Sequence, residues 1–288
     1  MRTHTLRTDG AEITYDVHGP DPAPGGPPPL VAVGQPMDAT GFRSLAAHLP
    51  ERTVVAYDPR GLGRSTRHDG RTDHDPDVQA TDVHALITAL GAGPVDVFGS
   101  SGGAVTALAL VTAYPSDVRV LVAHEPPVIS VLPDADEARR ARAAWRDAYE
   151  AKGWGAGMAA FIAMTSWTGP LTDAYLAGPA PDPAAFGLPT EDDGSRDDPL
   201  LSDRSWAVSD FVPDVAALTA ARTRIVLAIG EETGDTFTSR TARGVAAALG
   251  SEPVMFPSHH GGFAGGEFGY PGKPAEFAAV LRGVLDGG

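Results

Sequence analysis

The chain has 288 residues, 42% of them hydrophobic, which is enough for one large domain with a substantial core and an inserted lid. Its 22 Lys and Arg against 37 Asp and Glu give a formal net charge of −15, which repels nucleic acid phosphates and anionic membrane surfaces. The sequence has no cysteine, and this excludes disulfides, thiolate catalysis and cysteine-ligated zinc or iron–sulfur sites.

The N-terminal sequence lacks the apolar segment of a signal peptide, and no apolar run is long enough to span a bilayer. We therefore expect a cytoplasmic protein whose partner is a small-molecule substrate, with no nucleic acid and no membrane as partner. The sequence indicates nothing about its oligomeric state.

Short apolar strands alternate with helices over the first 130 residues. Alternating residues around Tyr15 predict a strand, and the proline-rich segment DPAPGGPPP (21–29) predicts the turn of an edge hairpin. Further along this part, short β-branched runs predict strands at 30–34, 53–58, 94–99 and 118–125, and helical spacing predicts helices at 41–50 and 104–115.

Residues 131–212 interrupt this alternation, since they contain helix-like stretches, all four tryptophans and no convincing strand. The alternation resumes with strands at 224–230 and 253–256 and helices at 237–249 and 276–285. The pattern predicts an α/β fold with a mainly parallel, doubly wound sheet. We expect residues 1–130 and 213–288 to form this core, 131–212 to form an inserted helical cap, and functional residues to lie at the carboxyl ends of the strands.

Ser101 lies in Gly99-Ser100-Ser101-Gly102-Gly103, which fits the pattern G-x-S-x-G. A buried strand is predicted directly before this segment and an apolar helix directly after it, which is the order of a nucleophile elbow. Small residues at 99 and 103 allow the sharp turn that exposes the serine. We predict Ser101 as a nucleophile, the alternative being a glycine-rich turn with an incidental serine.

A serine hydroxyl needs a neighbouring base to act as a nucleophile at neutral pH. In proteins with this elbow the histidine lies late in the chain, where PVMFPSHHGGF offers His259 and His260. The glycines after His260 suit a loop that returns over the elbow, which favours His260. The remaining histidines are interpreted as solvated surface residues: His4, His18, His48, His68, His74, His84 and His124.

In proteins with this elbow, the carboxylate that orients the histidine usually follows the strand that corresponds to 224–230 here, in a G-x-x-D pattern. In this chain Thr233 occupies the aspartate position. Glu125 ends the strand after the elbow helix. A buried strand rarely ends in glutamate without a partner, because an unpaired carboxylate is costly to remove from water. We predict Glu125 as the acid; Glu231, Glu232 and Asp235 remain alternatives.

Acyl transfer also requires donors directed at the developing oxyanion. The backbone N–H of Gly102 is one candidate by position, and that of Gln35, in the turn Gly34-Gln35-Pro36, is the second. Three residues are predicted to line the substrate pocket: Met37, Trp167 and Trp206.

Taken together, these segments resemble the α/β-hydrolase superfamily over nearly the whole chain: GQP (34–36), DPRGLGRS (58–65), GSSGG (99–103), a cap, and a histidine before GGF (261–263). More narrowly, SSGGAVTALALVTAYPSDVR followed by AHEPP resembles the zearalenone-type lactone hydrolases of this fold, whose acid is a glutamate at the corresponding strand end. This resemblance implies the same role for Glu125. The cap does not align with theirs, so their macrolactone substrate is not implied.

The sequence thus predicts a serine hydrolase that cleaves an ester or lactone of a medium-sized apolar substrate through an acyl-enzyme on Ser101, without metal or cofactor. Two other hypotheses remain: a cofactor-independent lyase, cyclase or C–C hydrolase of a biosynthetic pathway, and a non-catalytic ligand-binding relative. A haloalkane dehalogenase or an epoxide hydrolase would have an aspartate as its nucleophile, so the serine at position 101 argues against both activities. The His and Asp residues between 68 and 75 match no metal-ligand spacing.

Overall fold

The computed structural model describes residues 1–22, 26–267, 269 and 271–287, and within these residues nine strands form one sheet. The strands are β1 (Arg2–Thr8), β2 (Ala11–His18), β3 (Leu30–Val33), β4 (Val54–Tyr57), β5 (Thr66–Arg67), β6 (Val95–Ser100), β7 (Val118–His124), β8 (Arg224–Gly230) and β9 (Val254–Phe256). The helices are α1 (Arg43–Ala47), α2 (Pro76–Leu90), α3 (Gly102–Ala113), α4 (Ala135–Lys152), α5 (Trp154–Ser166), α6 (Asp173–Leu176), α7 (Trp206–Ser209), α8 (Val215–Ala220), α9 (Phe237–Ala248) and α10 (Pro274–Leu285).

The strand order is β1-β2-β4-β3-β6-β7-β8-β9, with β5 paired to β2. The pairings of β2 with β1, β4 and β5 are antiparallel, whereas every pairing from β4 onward in this order is parallel. The predicted mainly parallel α/β sheet is therefore confirmed.

Both faces of the sheet are covered by helices, because alternate residues of each strand point to opposite sides. In β3, Val31 and Val33 pack in one apolar cluster with residues of α2, α3 and α9. Leu30 and Ala32 pack in a second cluster with residues of α1 and α10. The doubly covered sheet accounts for the continuous apolar runs in the central strands.

The N-terminal hairpin turns at Asp9 and Gly10, where Gly10 has a φ of 72°, and not at the proline-rich segment as predicted. That segment, of which residues 23–25 lie outside the described part of the chain, leads from β2 to β3. Its length has a topological reason: β4 lies between β2 and β3 in the sheet, so the chain must pass β4 before β3 begins.

Residues 131–212 contain helices and no strand, and all of them are described. An ion pair between Asp134, just before α4, and Arg240 of α9 connects this part of the chain to the sheet-covering helices. Asp134 also accepts the backbone N–H of Leu171 at 2.7 Å. No helix among the described residues has both the length and the apolar character needed to cross a membrane.

Candidate active site

Ser101 occupies a sharp turn between β6 and α3. Its φ of 56° lies in the left-handed region, and its backbone N–H donates to the carbonyl oxygen of His124 at 2.9 Å. A Cβ on Gly103 would lie 2.0 Å from the carbonyl oxygen of Val33, and one on Gly99 would lie 2.8 Å from Ala104 Cα. Glycine is therefore required on both sides of the turn that presents Ser101.

Glu125 follows β7 with a φ of 49°, and its side chain is completely buried. One carboxylate oxygen accepts the N–H of Gly230 at 2.9 Å and the hydroxyl of Thr233 at 2.6 Å. The other accepts the hydroxyl of Thr238 at 2.8 Å and lies 2.5 Å from Nδ1 of His260. Four partners satisfy the buried carboxylate in its ionised form.

The pKa of Glu125 is set by two opposing effects. Burial raises it, but the adjacent His260 and the hydrogen bonds from His260 and Thr233 outweigh burial and hold the pKa below its usual value. The carboxylate is therefore ionised at neutral pH, and its contact with Nδ1 leaves Nε2 of His260 to exchange a proton.

Ser101 and His260 line the same cavity, and 39% of the His260 side chain is exposed. Among the described residues no hydrogen bond joins the hydroxyl of Ser101 to the imidazole. Such bonds are often long in ligand-free enzymes and shorten when the substrate is bound.

The alternative acids lie away from the imidazole. Glu231, Glu232 and Asp235 are exposed; Glu232 pairs with Lys273 at 2.6 Å, and Asp235 lies 3.6 Å from Arg243. The structure thus brings Glu125 to His260 and leaves these three carboxylates in solvent.

Thr233 and His259 lie next to Glu125 and His260. Thr233, which occupies the aspartate position of the G-x-x-D pattern, donates a hydrogen bond to Glu125. His259 lines the cavity, and its Nδ1 accepts the N–H of Gly261 at 3.1 Å. The imidazole that forms a hydrogen bond with Glu125 is that of His260.

Gln35 and Gly102 lie together at the cavity beside Ser101. A Cβ on Gly102 would lie 2.7 Å from the carbonyl oxygen of Gln35, so the two backbones are in close contact. Gly102 is the first residue of α3, and its N–H has no acceptor within the helix, at the end where the helix dipole favours negative charge. This geometry suits an anion next to Ser101.

Two cavities of about 500 and 280 Å³ are both lined by Ser101 and His260. Of the residues predicted to bind substrate, Trp206 lines the larger cavity and Met37 the smaller. The larger cavity is also lined by aromatic residues that the sequence did not distinguish: Trp145, Phe161 and Phe237. In the described part of the chain, neither cavity is lined by an Asp, Glu, Lys or Arg side chain.

Trp167 does not reach either cavity, contrary to prediction. It follows α5, is 41% exposed, and its ring lies 5.0 Å from that of Tyr175. Its indole N–H donates to the carbonyl oxygen of Pro170 at 3.1 Å, which holds the ring at the surface of residues 131–212.

Two histidines expected at the surface are buried. His124 belongs to β7, which is covered on both faces, and its side chain is completely inaccessible. His74 is 4% exposed, and its backbone N–H donates to the carbonyl oxygen of Arg204 at 2.7 Å. The polar residues around His74 form ion pairs, such as that of Arg71 with Asp75 at 3.0 Å. Within the described ranges, no group of three or more His, Asp or Glu is arranged to hold a metal ion.

Comparisons with known proteins agree with this architecture. The alpha/beta hydrolase fold family matches residues 30–165. By sequence, the chain is similar to the uncharacterized hydrolase YraK of Bacillus subtilis, with 37% identity over 129 residues that cover 44% of this chain and 46% of YraK. The matched part thus spans less than half the length of that relative.

Two solved structures share the fold. A thermophilic esterase from Thermogutta terrifontis has a TM-score of 0.64 and 18% identity, covering 99% of this chain and 98% of the esterase. A proline iminopeptidase from Mycobacterium smegmatis has a TM-score of 0.64 and 21% identity, with the same coverage of 99% and 98%.

Proposed function

Because this chain belongs to the α/β-hydrolase superfamily, we propose that it is a serine hydrolase with Ser101 as nucleophile, His260 as general base and Glu125 as the orienting carboxylate. One observation carries the proposal: Oε2 of Glu125 lies 2.5 Å from Nδ1 of His260, at the cavity that Ser101 also lines. Residues 131–212 act as the cap over this site.

In the proposed reaction, Nε2 of His260 takes the proton of Ser101 while the serine oxygen attacks the carbonyl carbon of the substrate. The backbone N–H groups of Gln35 and Gly102 donate to the oxyanion. His260 then protonates the leaving alcohol, and the acyl group remains on Ser101. Water, deprotonated by His260, attacks this acyl-enzyme and releases the acid.

The cavity favours a neutral ester or lactone as substrate. Aromatic rings of Trp145, Phe161 and Trp206 contribute to its wall, and no carboxylate, ammonium or guanidinium among the described residues lines it. A charged substrate group entering this space would lose its hydration without gaining a partner. The relative named as a proline iminopeptidase suggests an amine-bearing substrate, but the cavity offers no carboxylate to bind one.

We expect neutral esters to be cleaved with a kcat/KM about 100-fold higher than matched esters that carry a terminal charge, because the charge is desolvated without compensation. The comparison uses 4-nitrophenyl hexanoate against the 4-nitrophenyl esters of adipic acid and of 6-aminohexanoic acid. Equal kcat/KM values for the three would contradict the assignment of a neutral substrate.

The proposed function is tested by covalent labelling with a fluorophosphonate, read by intact mass and peptide mapping. We expect one adduct, on Ser101, that is absent in Ser101→Ala and strongly slowed in His260→Ala. Folded wild-type protein that forms no adduct would rule out the serine hydrolase.

Hydrolysis is distinguished from lyase or cyclase chemistry by turnover in H₂¹⁸O. Ester hydrolysis through Ser101 places one ¹⁸O atom in the product carboxylate. A product without ¹⁸O, formed at a site that still reacts with the fluorophosphonate, would favour the non-hydrolytic alternative.

A further inference from the structure

His124 is in contact with every member of the proposed triad. It directly precedes Glu125, and its carbonyl oxygen accepts the backbone N–H of Ser101 at 2.9 Å. Its ring is stacked on that of His260, with 5.8 Å between the centroids and 27° between the planes. Its Nδ1 also forms a hydrogen bond of 3.2 Å with the hydroxyl of Ser100, the residue before the nucleophile.

The imidazole of His124 has an apolar environment that a phenyl ring would fit. Four phenylalanines surround it, with centroid distances of 6.1 Å to Phe98, 6.4 Å to Phe256, 6.2 Å to Phe263 and 5.5 Å to Phe277. Its Nε2 is buried and has no hydrogen-bond partner among the described residues. A buried nitrogen without a hydrogen-bond partner reduces stability, so packing alone does not account for a histidine at this position.

We propose that His124 is a positioning residue that holds the nucleophile and the base in register, an inference that rests on the proposed function. Its hydrogen bond fixes Ser100, which shares a peptide bond with the conformationally strained Ser101. Its ring supports the face of His260. A single side chain thus connects the elbow to the base, and a phenyl ring reproduces the stacking but not the hydrogen bond.

His124 performs this role as a neutral group. Burial lowers its pKa to about 4, so the ring carries no charge at neutral pH. A neutral neighbour does not oppose the positive charge that His260 acquires during proton transfer. This explains why a titratable ring is compatible with a position next to the catalytic base.

The test uses 4-nitrophenyl butyrate, four single variants and the double variant His124→Phe/Ser100→Ala. His124→Phe fills the same space without the hydrogen bond, His124→Asn retains a polar atom near the position of Nδ1, and Ser100→Ala removes the partner. Phe277→Leu is the matched control, since Phe277 packs on the same ring without a hydrogen bond to it. For each variant kcat, KM, the rate of fluorophosphonate labelling and the melting temperature are measured.

We expect His124→Phe to lower kcat and the labelling rate by about 100-fold, as for a small displacement of a nucleophile, with KM unchanged and the melting temperature unchanged or higher. His124→Asn is expected to keep most of the wild-type kcat. Adding Ser100→Ala to His124→Phe should lower kcat no further than His124→Phe alone. Phe277→Leu lowers the melting temperature but leaves kcat close to that of the wild type.

Three results would overturn the role of His124: wild-type kcat in His124→Phe, additive effects of His124→Phe and Ser100→Ala, or equal losses of kcat in Phe277→Leu and His124→Phe. If His124→Phe does not fold, Ser100→Ala and His124→Asn decide the question through the same split of kcat from KM. A wild-type protein that neither reacts with the fluorophosphonate nor cleaves the ester would instead reject the proposed function itself.

Discussion

Replacing Glu125 by glutamine is expected to lower kcat by about 10⁴-fold at nearly constant KM, the loss seen when an orienting carboxylate becomes an amide. The amide donates to Nδ1 of His260, so that the ring carries its proton on Nε2 and cannot accept one from Ser101. Steady-state kinetics with a neutral 4-nitrophenyl ester measures the loss, and circular dichroism checks the fold. Glu232→Gln, which changes an exposed carboxylate paired with Lys273, is the matched control.

The same geometry predicts that the acid can be moved to the neighbouring strand end. The hydroxyl of Thr233 lies 2.6 Å from the carboxylate of Glu125, so an aspartate at 233 is close to the position that Glu125 vacates. We expect the kcat of Glu125→Gly/Thr233→Asp to be about 100-fold higher than that of Glu125→Gly alone. Glycine suits the φ of 49° at position 125.

Glu125→Gly/Thr233→Asn separates the charge from the shape of the new side chain. We expect this variant to stay as inactive as Glu125→Gly alone, because it restores a polar group without a negative charge. Equal recovery with asparagine and aspartate would contradict an orienting carboxylate. Full activity in Glu125→Gln would remove Glu125 from the triad altogether.

The sheet was predictable because each central strand is a short apolar run that ends at a turn residue. The segments at 30–34, 94–99 and 118–125 differ from the observed strands by one residue or less at either end. The elbow was predictable for the same reason, since a strand, a glycine-flanked serine and an apolar helix follow one another directly. Local sequence determines these features.

Helix α2 was not predicted, although its signals are present. Asp75 caps its first turn by accepting the N–H of Asp77, Pro76 occupies the first turn, and Gly91 ends the helix with a φ of 63°. Apolar residues at helical spacing face the core: Ala80, Val83, Leu86 and Ile87. The aspartates shortly before it form ion pairs with neighbouring arginines.

The environments of single side chains depended on tertiary structure. His124 is buried because β7 lies inside the sheet, between β6 and β8, and strand order is not written in the local sequence. Likewise, Trp167 follows α5 and lies at the surface, whereas Trp206 is the first residue of α7 and lines the larger cavity. Their presence in the helical region was predictable, but which ring faces the substrate was not.

Acidification is expected to destabilise the wild-type protein between pH 6.5 and pH 4 through His124. Burial lowers the pKa of this imidazole from 6.5 to about 4 in the folded state, so in this range the unfolded chain binds a proton that the folded chain does not. Its contribution to stability is complete above pH 6.5 and disappears as the pH falls to 4. The shift corresponds to about 3 kcal/mol of unfolding free energy.

Denaturant unfolding of wild type, His124→Phe and His48→Gln from pH 7.5 to pH 4 measures this effect. Phenylalanine does not titrate, so the stability of His124→Phe relative to wild type should rise by about 3 kcal/mol over this range. His48 is exposed, and its replacement should leave the wild-type pH dependence unchanged. His74, whose pKa burial also lowers to about 4, is retained in all three proteins and contributes equally to each. Parallel curves for wild type and His124→Phe would show that His124 is not kept neutral by burial.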